Sequence, residues 1–235
     1  EGLTLEEIVN KLSLYSTEVE GVKNVVSGSK LVVGKVLECV DHPDSDHLHV
    51  CKVDVGSEVL QIVCGAPNVK EGLYVIVALI DCVLPGDFKI KKSKIRGVES
   101  FGMLCSLKEL GLENKFVPEK YAAGIYYFED GAEIGKNALE CLELEDAVIE
   151  LGLTPNRGDL LSMLGVAYEV SAVFDRPLKP LTYELIEGEL EDEVEVKIDT
   201  EDCLVYHARV FKDIEIKESP QWLKSRLIAF GTRPI

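Results

Sequence analysis

Five basic side chains lie close together within an otherwise acidic chain. The 235 residues carry a formal net charge of −17. The five are Lys89, Lys91, Lys92, Lys94 and Arg96. Because like charges repel, such a cluster does not help the chain to fold, and it favours the binding of an anion. Ammonium and guanidinium groups make charge-assisted hydrogen bonds to phosphate oxygens, so this basic stretch (residues 88–96) predicts a phosphate-binding surface.

A run of lysines is often only a solvated surface, and three observations favour binding instead. The rest of the chain is acidic, the run lies among strand-like segments, and Gly97 and Gly102 keep nearby backbone accessible. Together they favour nucleic acid as the ligand. Lys and Arg on a barrel rim reach phosphates first, so the surface would recognise backbone shape rather than base identity.

Segments with the composition of β-strands precede and follow the basic stretch. Val, Ile and Leu dominate residues 31–40, 48–55, 58–64 and 73–84, and turn residues separate these segments. The basic stretch and residues 98–105 supply the last strand or two. About five strands in so short a segment predict a small closed barrel, and the OB fold is the common barrel of that size.

Ile90 and Ile95 constrain the path of the basic stretch. They are an odd number of residues apart, so in one regular strand they would face opposite sides of the sheet. A bulge or turn at residues 91–93 would let both point into the barrel and leave the basic groups outside.

Capping boxes predict helical turns on both sides of the barrel. Thr4 and Glu7 precede an apolar stripe and predict an N-terminal helix. Ser106 and Glu109 have the same spacing, so a helical turn is expected to begin there. This interpretation gives Ser106 a structural role, and no base lies in a defined motif beside it or Cys105, so we predict no catalytic residue.

Five further predictions concern the residues that follow the barrel. Residues 149–153 alternate as a strand, and Asp159 is a predicted N-cap for the helix that follows. Residues 194–198 and 204–210 also alternate and are predicted as strands. Ser219–Pro220 predicts a last helix, with Ser as the N-cap and Pro at the first helical position.

Histidine and cysteine side chains near the barrel do not form a recognised metal motif. The candidates are Cys39, His42, His47, His49 and Cys51. Their spacing matches no usual zinc pattern, and residues 42–46 are predicted to be a turn, so we predict no metal site. His47 and His49 are expected to lie at the edge of the same groove as the lysines.

The overall composition favours a globular protein of a reducing compartment. The longest apolar run, residues 73–80, is too short to span a membrane, and the start of the chain has no signal-peptide pattern. The seven cysteines are scattered, with no C-x-x-C pair, which favours a cytoplasmic location. The first residue is not Met, so we expect the chain to be an excerpt from a longer polypeptide.

Residues 31–106 resemble the tRNA-binding OB domain shared by several aminoacyl-tRNA synthetases and free-standing tRNA-binding proteins. The matching segments are residues 33–36, 42–48, 52–56, 62–69 and 88–106. The flanks narrow the resemblance to the bacterial phenylalanine–tRNA ligase beta subunit. The segments that do so are residues 18–22, 153–157, 164–170 and 219–235. Gly158 and Tyr168 depart from the family pattern, so no role is carried over to Tyr168.

The resemblance implies an α+β fold with several domains. A five-stranded OB-type β-barrel domain, residues 31–146, would be inserted into a small discontinuous α+β N-terminal domain. Residues 1–30 and 147–187 would form that N-terminal domain. Residues 188–235 would begin an α+β editing domain, which in the family hydrolyses mischarged Tyr-tRNA.

The resemblance also implies a function. The family charges tRNA(Phe) with phenylalanine using ATP and Mg²⁺, as a cytoplasmic tetramer of two alpha and two beta subunits, with activation on the alpha subunit. The 235-residue chain would bind tRNA as an auxiliary contact and would hold neither ATP nor Mg²⁺. DNA and membranes are not expected partners. The residues predicted to contact tRNA are Lys35, His47, Lys89, Lys91, Lys92, Lys94, Arg96 and Ser100.

Two other functions are compatible with the barrel. A free-standing tRNA-binding module would be a binding protein rather than part of an enzyme, but residues 154–174 and the new segment from Glu184 argue against it. A subunit-docking scaffold would use the barrel to bind another protein, and RNA would then not compete with subunit assembly.

Overall fold

The computed structural model describes residues 2–184 and 194–235. Its α-helices are α1 (Leu5–Tyr15), α2 (Ala138–Cys141), α3 (Met163–Phe174) and α4 (Gln221–Ala229). Its strands are β1 (Glu18–Asn24), β2 (Leu31–Asp41), β3 (His49–Asp54), β4 (Val59–Cys64), β5 (Tyr74–Ala78), β6 (Val83–Leu84), β7 (Phe88–Lys89), β8 (Ser93–Ile95), β9 (Val98–Ser100), β10 (Met103–Leu104), β11 (Tyr127–Phe128) and β12 (Ala147–Gly152).

The chain divides into two compact units. The smaller unit comprises Glu1–Glu18 and Leu153–Glu218, and the larger one comprises Val19–Gly152 and Ser219–Ile235. The larger unit contains the basic stretch. The two units are described separately below.

An antiparallel sheet dominates the larger unit. Its strand order is β10-β5-β2-β3-β4, and β11 also pairs with β5. The inward side chains of β2, β3 and β5 are fully buried, among them Val33, Val53 and Ile76. Burying such aliphatic side chains is the main free-energy gain that holds the strands together.

The sheet curls until its two ends nearly meet, which confirms the predicted barrel. Phe101 N donates to Gln61 O at 2.9 Å, and Gln61 Nε2 donates to Glu99 O at 2.9 Å. These bonds join β4, at one end of the sheet order, to residues 99–101. Those residues precede β10, which lies at the other end of the sheet order. Few backbone groups at this edge therefore stay open to another strand.

The strands predicted within residues 31–64 are confirmed to within a few residues, but the segment 73–84 is not one strand. Asp81 has a left-handed backbone, with φ of 67°, and Cys82 N donates to Leu79 O at 3.0 Å. A strand cannot continue through this conformation, so the segment divides into β5 and β6. The predicted break in the basic stretch is confirmed, but at residues 90–92 rather than 91–93, because Ser93 already begins β8. Ile90 is buried as predicted, whereas Ile95 is half-buried.

Aromatic rings and the last helix pack against the barrel. Tyr121 contacts the rings of Tyr126 and Tyr127, with centroid distances of 4.7 and 5.0 Å. In α4, Gln221 Nε2 and Ser225 Oγ both donate to Leu142 O, at 2.6 and 3.2 Å. These contacts anchor α4 to the larger unit.

The start of α4 differs by one position from the sequence prediction. Pro220, not Ser219, occupies the N-cap position, and Ser219 N donates instead to Ile235 O at 3.0 Å. Proline has no N–H to donate, and its fixed φ suits the extended backbone of a cap as well as the first helical residue. The predicted Ser219 cap is therefore wrong.

Helices α1 and α3 belong to the smaller unit. The predicted capping box is confirmed: Glu7 N donates to Thr4 Oγ1 at 3.2 Å, and Thr4 N donates to Glu7 Oε2 at 2.8 Å. The predicted cap of α3 is wrong, because Ser162 Oγ accepts the bond from Gly165 N at 3.0 Å.

Asp159 has another partner in the smaller unit. Its carboxylate accepts from Arg157 Nη2 at 3.1 Å, and Glu169 accepts from the same atom at 2.7 Å. Hydrogen bonds from the Arg157 guanidinium lower the pKa of both carboxyl groups. A charged network that links α3 to the preceding turn thus replaces the expected cap.

The strands predicted for residues 194–198 and 204–210 are also wrong. No strand occurs within residues 194–218, and Val194, Val196 and Ile198 are exposed. Alternation supplies one apolar face, but a strand also needs a neighbour for its N–H and C=O groups. None of the described residues pairs with these two segments.

Candidate nucleic-acid interface

A groove of about 700 Å³ opens on the barrel beside the basic stretch. Residues 88–91, Ser93 and Ile95 form one wall, and Ser106, Lys108, Glu109 and residues 122–125 form the other. Apolar side chains, including Ile90 and Leu104, form much of its floor. The groove therefore combines a basic rim with an apolar interior.

Two of the four lysines of the basic stretch are already paired with acids. Lys89 Nζ lies 2.7 Å from Asp81 Oδ1, and Lys92 Nζ lies 2.8 Å from Glu99 Oε1. These hydrogen bonds lower the pKa of both carboxyl groups, so the acids stay charged. The two lysines carry less net positive potential than their number suggests.

Lys91 and Lys94 are the lysines most available for phosphate. Both are exposed, and within residues 2–184 and 194–235 no ion pair joins either of them to an acid. A phosphate that binds them would not have to displace an internal carboxylate. The unpaired charge of the rim is therefore concentrated on these two side chains.

Arg96 shapes the stretch as much as it adds charge to it. With Gly97 it forms the two-residue turn of the β8–β9 hairpin, where φ is 43° and 88°. Positive φ at both positions is typical of a type I′ turn, which favours glycine at the second position. The guanidinium of Arg96 donates to Asp44 O at 2.9 Å and so holds the loop of residues 42–48 against the hairpin.

His42 is a positioning residue that the sequence analysis did not select for the site. It is 3% exposed, its Nδ1 accepts from Asp44 N at 3.1 Å, and its Nε2 lies 3.1 Å from Ile95 O. The ring thereby fastens the loop to the basic stretch. The sequence feature that could have identified His42 is its place at the start of the predicted turn, residues 42–46.

Lys35 and His47 do not line the groove. Lys35 is half-buried, and its Nζ lies 5.2 Å from the centre of the Tyr74 ring. His47 is exposed beside Asp46, at 3.8 Å, while His49 is 3.3 Å from Asp41. Of the predicted basic contacts, Lys89 and Lys91 are the ones that lie in the groove lining. Contacts of Lys35 and His47 with tRNA stay predictions.

Ser100 lies in the groove lining but is used internally. It is 1% exposed; its Oγ accepts from Val63 N at 3.1 Å and donates to Gly102 O at 3.1 Å. Both functions of the hydroxyl are therefore satisfied within the barrel. The geometry favours a positioning role over direct contact with RNA.

Replacing Ser100 with Ala is expected to lower the free energy of unfolding by about 1–3 kcal/mol, because Val63 N–H would be buried without an acceptor. The slope of RNA affinity against salt should not change, since no phosphate contact is lost. Urea unfolding and a salt titration of the same variant check both parts. A stable Ser100→Ala variant with weakened RNA binding would instead indicate direct contact.

Gly102 is required by a close approach of two strands. A Cβ at this position would lie 2.9 Å from Ala78 O and 3.3 Å from Ile62 Cδ1. Such a contact with backbone cannot be relieved without moving β5. The glycine therefore allows the barrel to close, in addition to any effect on the accessibility of the backbone.

Cys105 and Ser106 have structural partners. Ser106 Oγ donates to Glu109 Oε2 at 2.8 Å, and Glu109 N donates to Ser106 Oγ at 3.3 Å, which confirms the capping interaction. The residues that follow form a turn rather than a regular helix. Burial raises the pKa of the Cys105 thiol and so opposes formation of the thiolate nucleophile.

Within residues 2–184 and 194–235, no three His, Cys, Asp or Glu side chains are grouped so that they could hold a metal ion. Within those ranges, no helix has the length and apolar character needed to cross a bilayer. All seven cysteines are free thiols.

Comparison with known proteins identifies a family segment that contains the strands of the barrel. The family model described as "Putative tRNA binding domain" matches residues 31–136. Among solved structures, the C-terminal domain of Plasmodium vivax p43 is 31% identical over 32% of this chain and 43% of that one. Its TM-score of 0.26 is too low to inform the fold.

Whole-chain relatives are phenylalanine–tRNA ligase beta subunits. The subunit of Halalkalibacterium halodurans is 50% identical over 100% of this chain, and that of Bacillus cereus is 48% identical over 99% of it. The Bacillus subtilis subunit is 47% identical over 99%. The chain spans about 30% of the length of each of these relatives. The chain therefore belongs to the family of phenylalanine–tRNA ligase beta subunits.

Proposed function

We propose that this chain is the tRNA-binding part of a phenylalanine–tRNA ligase beta subunit. The observation that carries the proposal is that the tRNA-binding family segment, residues 31–136, contains the groove, with Lys91 in its lining and Lys94 exposed between the lining residues Ser93 and Ile95. Charge-assisted contacts to phosphates and release of counterions would supply most of the affinity. The contact would be auxiliary, and the chain would supply no catalytic residue.

The charge distribution would also select how tRNA approaches. The whole chain carries a net charge of −17, so most of its surface repels RNA. Within residues 88–96 the sign is reversed. A polyanion is therefore oriented towards the barrel face before close contact forms, which favours fast and salt-sensitive capture.

The complete enzyme would charge tRNA(Phe) with phenylalanine in the cytoplasm. It would use ATP and Mg²⁺ and assemble from two alpha and two beta subunits. This chain is expected to hold neither ATP nor Mg²⁺. The alpha subunit is the proposed partner that carries the activation chemistry.

The proposed domain organisation is a barrel, residues 31–146, inserted between residues 1–30 and 147–187. Pairing of β1 with β12 supports it, because these strands precede and follow the barrel in sequence. Lys23 of β1 also lies 3.2 Å from Glu150 of β12. The boundary at residue 188 lies outside the described residues, and the start of an editing domain there stays a proposal.

Filter binding of the 235-residue chain to a tRNA(Phe) transcript tests the proposed function. We expect log Kd to rise linearly with log salt concentration, because each phosphate contact releases a condensed counterion. A flat response to salt, or no binding at low salt, would contradict it. Assembly with the alpha subunit that added tRNA does not compete with would favour the docking-scaffold alternative.

A further inference from the structure

We propose that the groove holds an unpaired nucleobase of the bound RNA, stacked on the ring of Phe88. This proposal rests on the function proposed above and makes it more specific. It assigns the two parts of the site different tasks. The lysines of the rim would hold phosphates, and the apolar interior would take one base that has left its helix.

Phe88 is an aromatic residue with an exposed side chain. Exposing its ring to water contributes nothing to the stability of the folded chain. Its side chain is 57% exposed, although Leu84, its directly opposite partner in the β6–β7 hairpin, is 3% exposed. The ring belongs to the groove lining, together with Lys89 and Lys91. Unpaired bases stack on exposed aromatic side chains in basic grooves of single-strand binding sites.

The interior of the groove suits a base better than a phosphate. Lys108 belongs to the opposite wall, but its Nζ already donates to Ala122 O at 2.8 Å. Beside it, the carboxylate of Glu109 is fixed by Ser106 and repels a phosphate group. The volume of about 700 Å³ falls within the usual range for small-molecule sites, about 300–1,000 Å³.

The positions of charge therefore separate rim from interior. Lys91 in the groove lining and Lys94 beside it are exposed and, among the described residues, form no ion pair, although Glu99 lies opposite Lys94; phosphates on either side of the base can lie at these two lysines. Bases inside a duplex are stacked on each other and cannot reach Phe88. The structure thus predicts a preference for RNA with an unpaired nucleotide over a blunt duplex.

Fluorescence of a base analogue tests this arrangement on the 235-residue chain. The probe is an RNA 12-mer of uridines with one central 2-aminopurine, whose emission is quenched on stacking. We expect the wild type to quench it, and Phe88→Ala to abolish the quenching and raise Kd about five- to tenfold. Phe88→Trp should retain both, and Phe88→Leu should lose the quenching.

Two controls separate stacking from other effects. Phe211→Ala removes the same side chain from a position that is 69% exposed and outside the groove lining, and it should change neither quantity. Circular dichroism of Phe88→Ala checks that the barrel is folded. The slope of log Kd against log salt should be the same for Phe88→Ala and wild type, because no phosphate contact is removed.

The outcomes distinguish failure of the inference from failure of the proposed function. Equal quenching by wild type and folded Phe88→Ala, or equal affinity for the 12-mer and a blunt duplex, would overturn base stacking while tRNA binding remained. If the wild type bound neither the 12-mer nor the tRNA transcript at low salt, both proposals would fail. The exposed ring would then be assigned to a protein contact.

Discussion

Replacing Lys91 and Lys94 together with Glu is expected to weaken tRNA binding at low salt by about 10- to 100-fold. Both lysines are exposed, and no ion pair within the described residues holds either of them; the charge of Lys94 is offset in part by Glu99, its cross-strand partner. The double substitution removes two phosphate contacts and introduces repulsion in their place. The slope of log Kd against log salt should fall in magnitude by about 1.5 to 2. Filter binding across a salt series measures both quantities.

The matched control for this variant is Lys197→Glu with Lys217→Glu. It changes the net charge by the same amount at two exposed lysines outside the groove lining, which pair with Asp199 and Glu215. We expect little loss of affinity and an unchanged slope. Equal weakening by both double variants would mean that overall charge, rather than local phosphate contact, controls binding, and the assignment of the rim would be wrong.

Replacing Ile76 with Ala is expected to lower the free energy of unfolding of the larger unit by about 2–5 kcal/mol. Ile76 is fully buried on β5, directly opposite Val33 of β2. The substitution removes buried methyl and methylene groups and leaves a cavity that the surrounding strands cannot fill. Urea unfolding measures the effect through the fluorescence of Trp222, the single tryptophan, which belongs to the same unit.

Val59→Ala is the control for the core substitution. Val59 is 53% exposed on β4, so its truncation should cost less than about 0.5 kcal/mol. The folded fraction of Ile76→Ala should bind RNA with the wild-type salt slope, because the rim lysines are unchanged. A loss below about 1 kcal/mol for Ile76→Ala would contradict the central place of β5 in the core.

Features that depend on neighbouring residues could be predicted from the sequence. The capping interactions of Thr4 with Glu7 and of Ser106 with Glu109 follow from a spacing of three residues. The strands of the barrel follow from alternating or continuous apolar runs bounded by turn residues. The break after Ile90 follows from the side-chain period of a strand.

Features that need a distant partner were predicted incompletely. Alternation within residues 194–210 predicted strands, but the described residues supply no strand to pair with them. Asp159 had the composition of an N-cap, but the guanidinium of Arg157 binds it and Ser162 caps the helix. In each case a competing partner, which local propensity does not include, determined the structure.

The basic stretch shows both kinds of information. The sequence by itself determined that positive charge is concentrated in residues 88–96 and that a barrel carries it. Only the tertiary structure decided how that charge is used, because ion pairs join residues that are not adjacent in sequence. Asp81 and Glu99 partly neutralise Lys89 and Lys92. The hydroxyl of Ser100 makes its hydrogen bonds within the barrel, whereas Lys91 and Lys94 remain without an ion pair among the described residues.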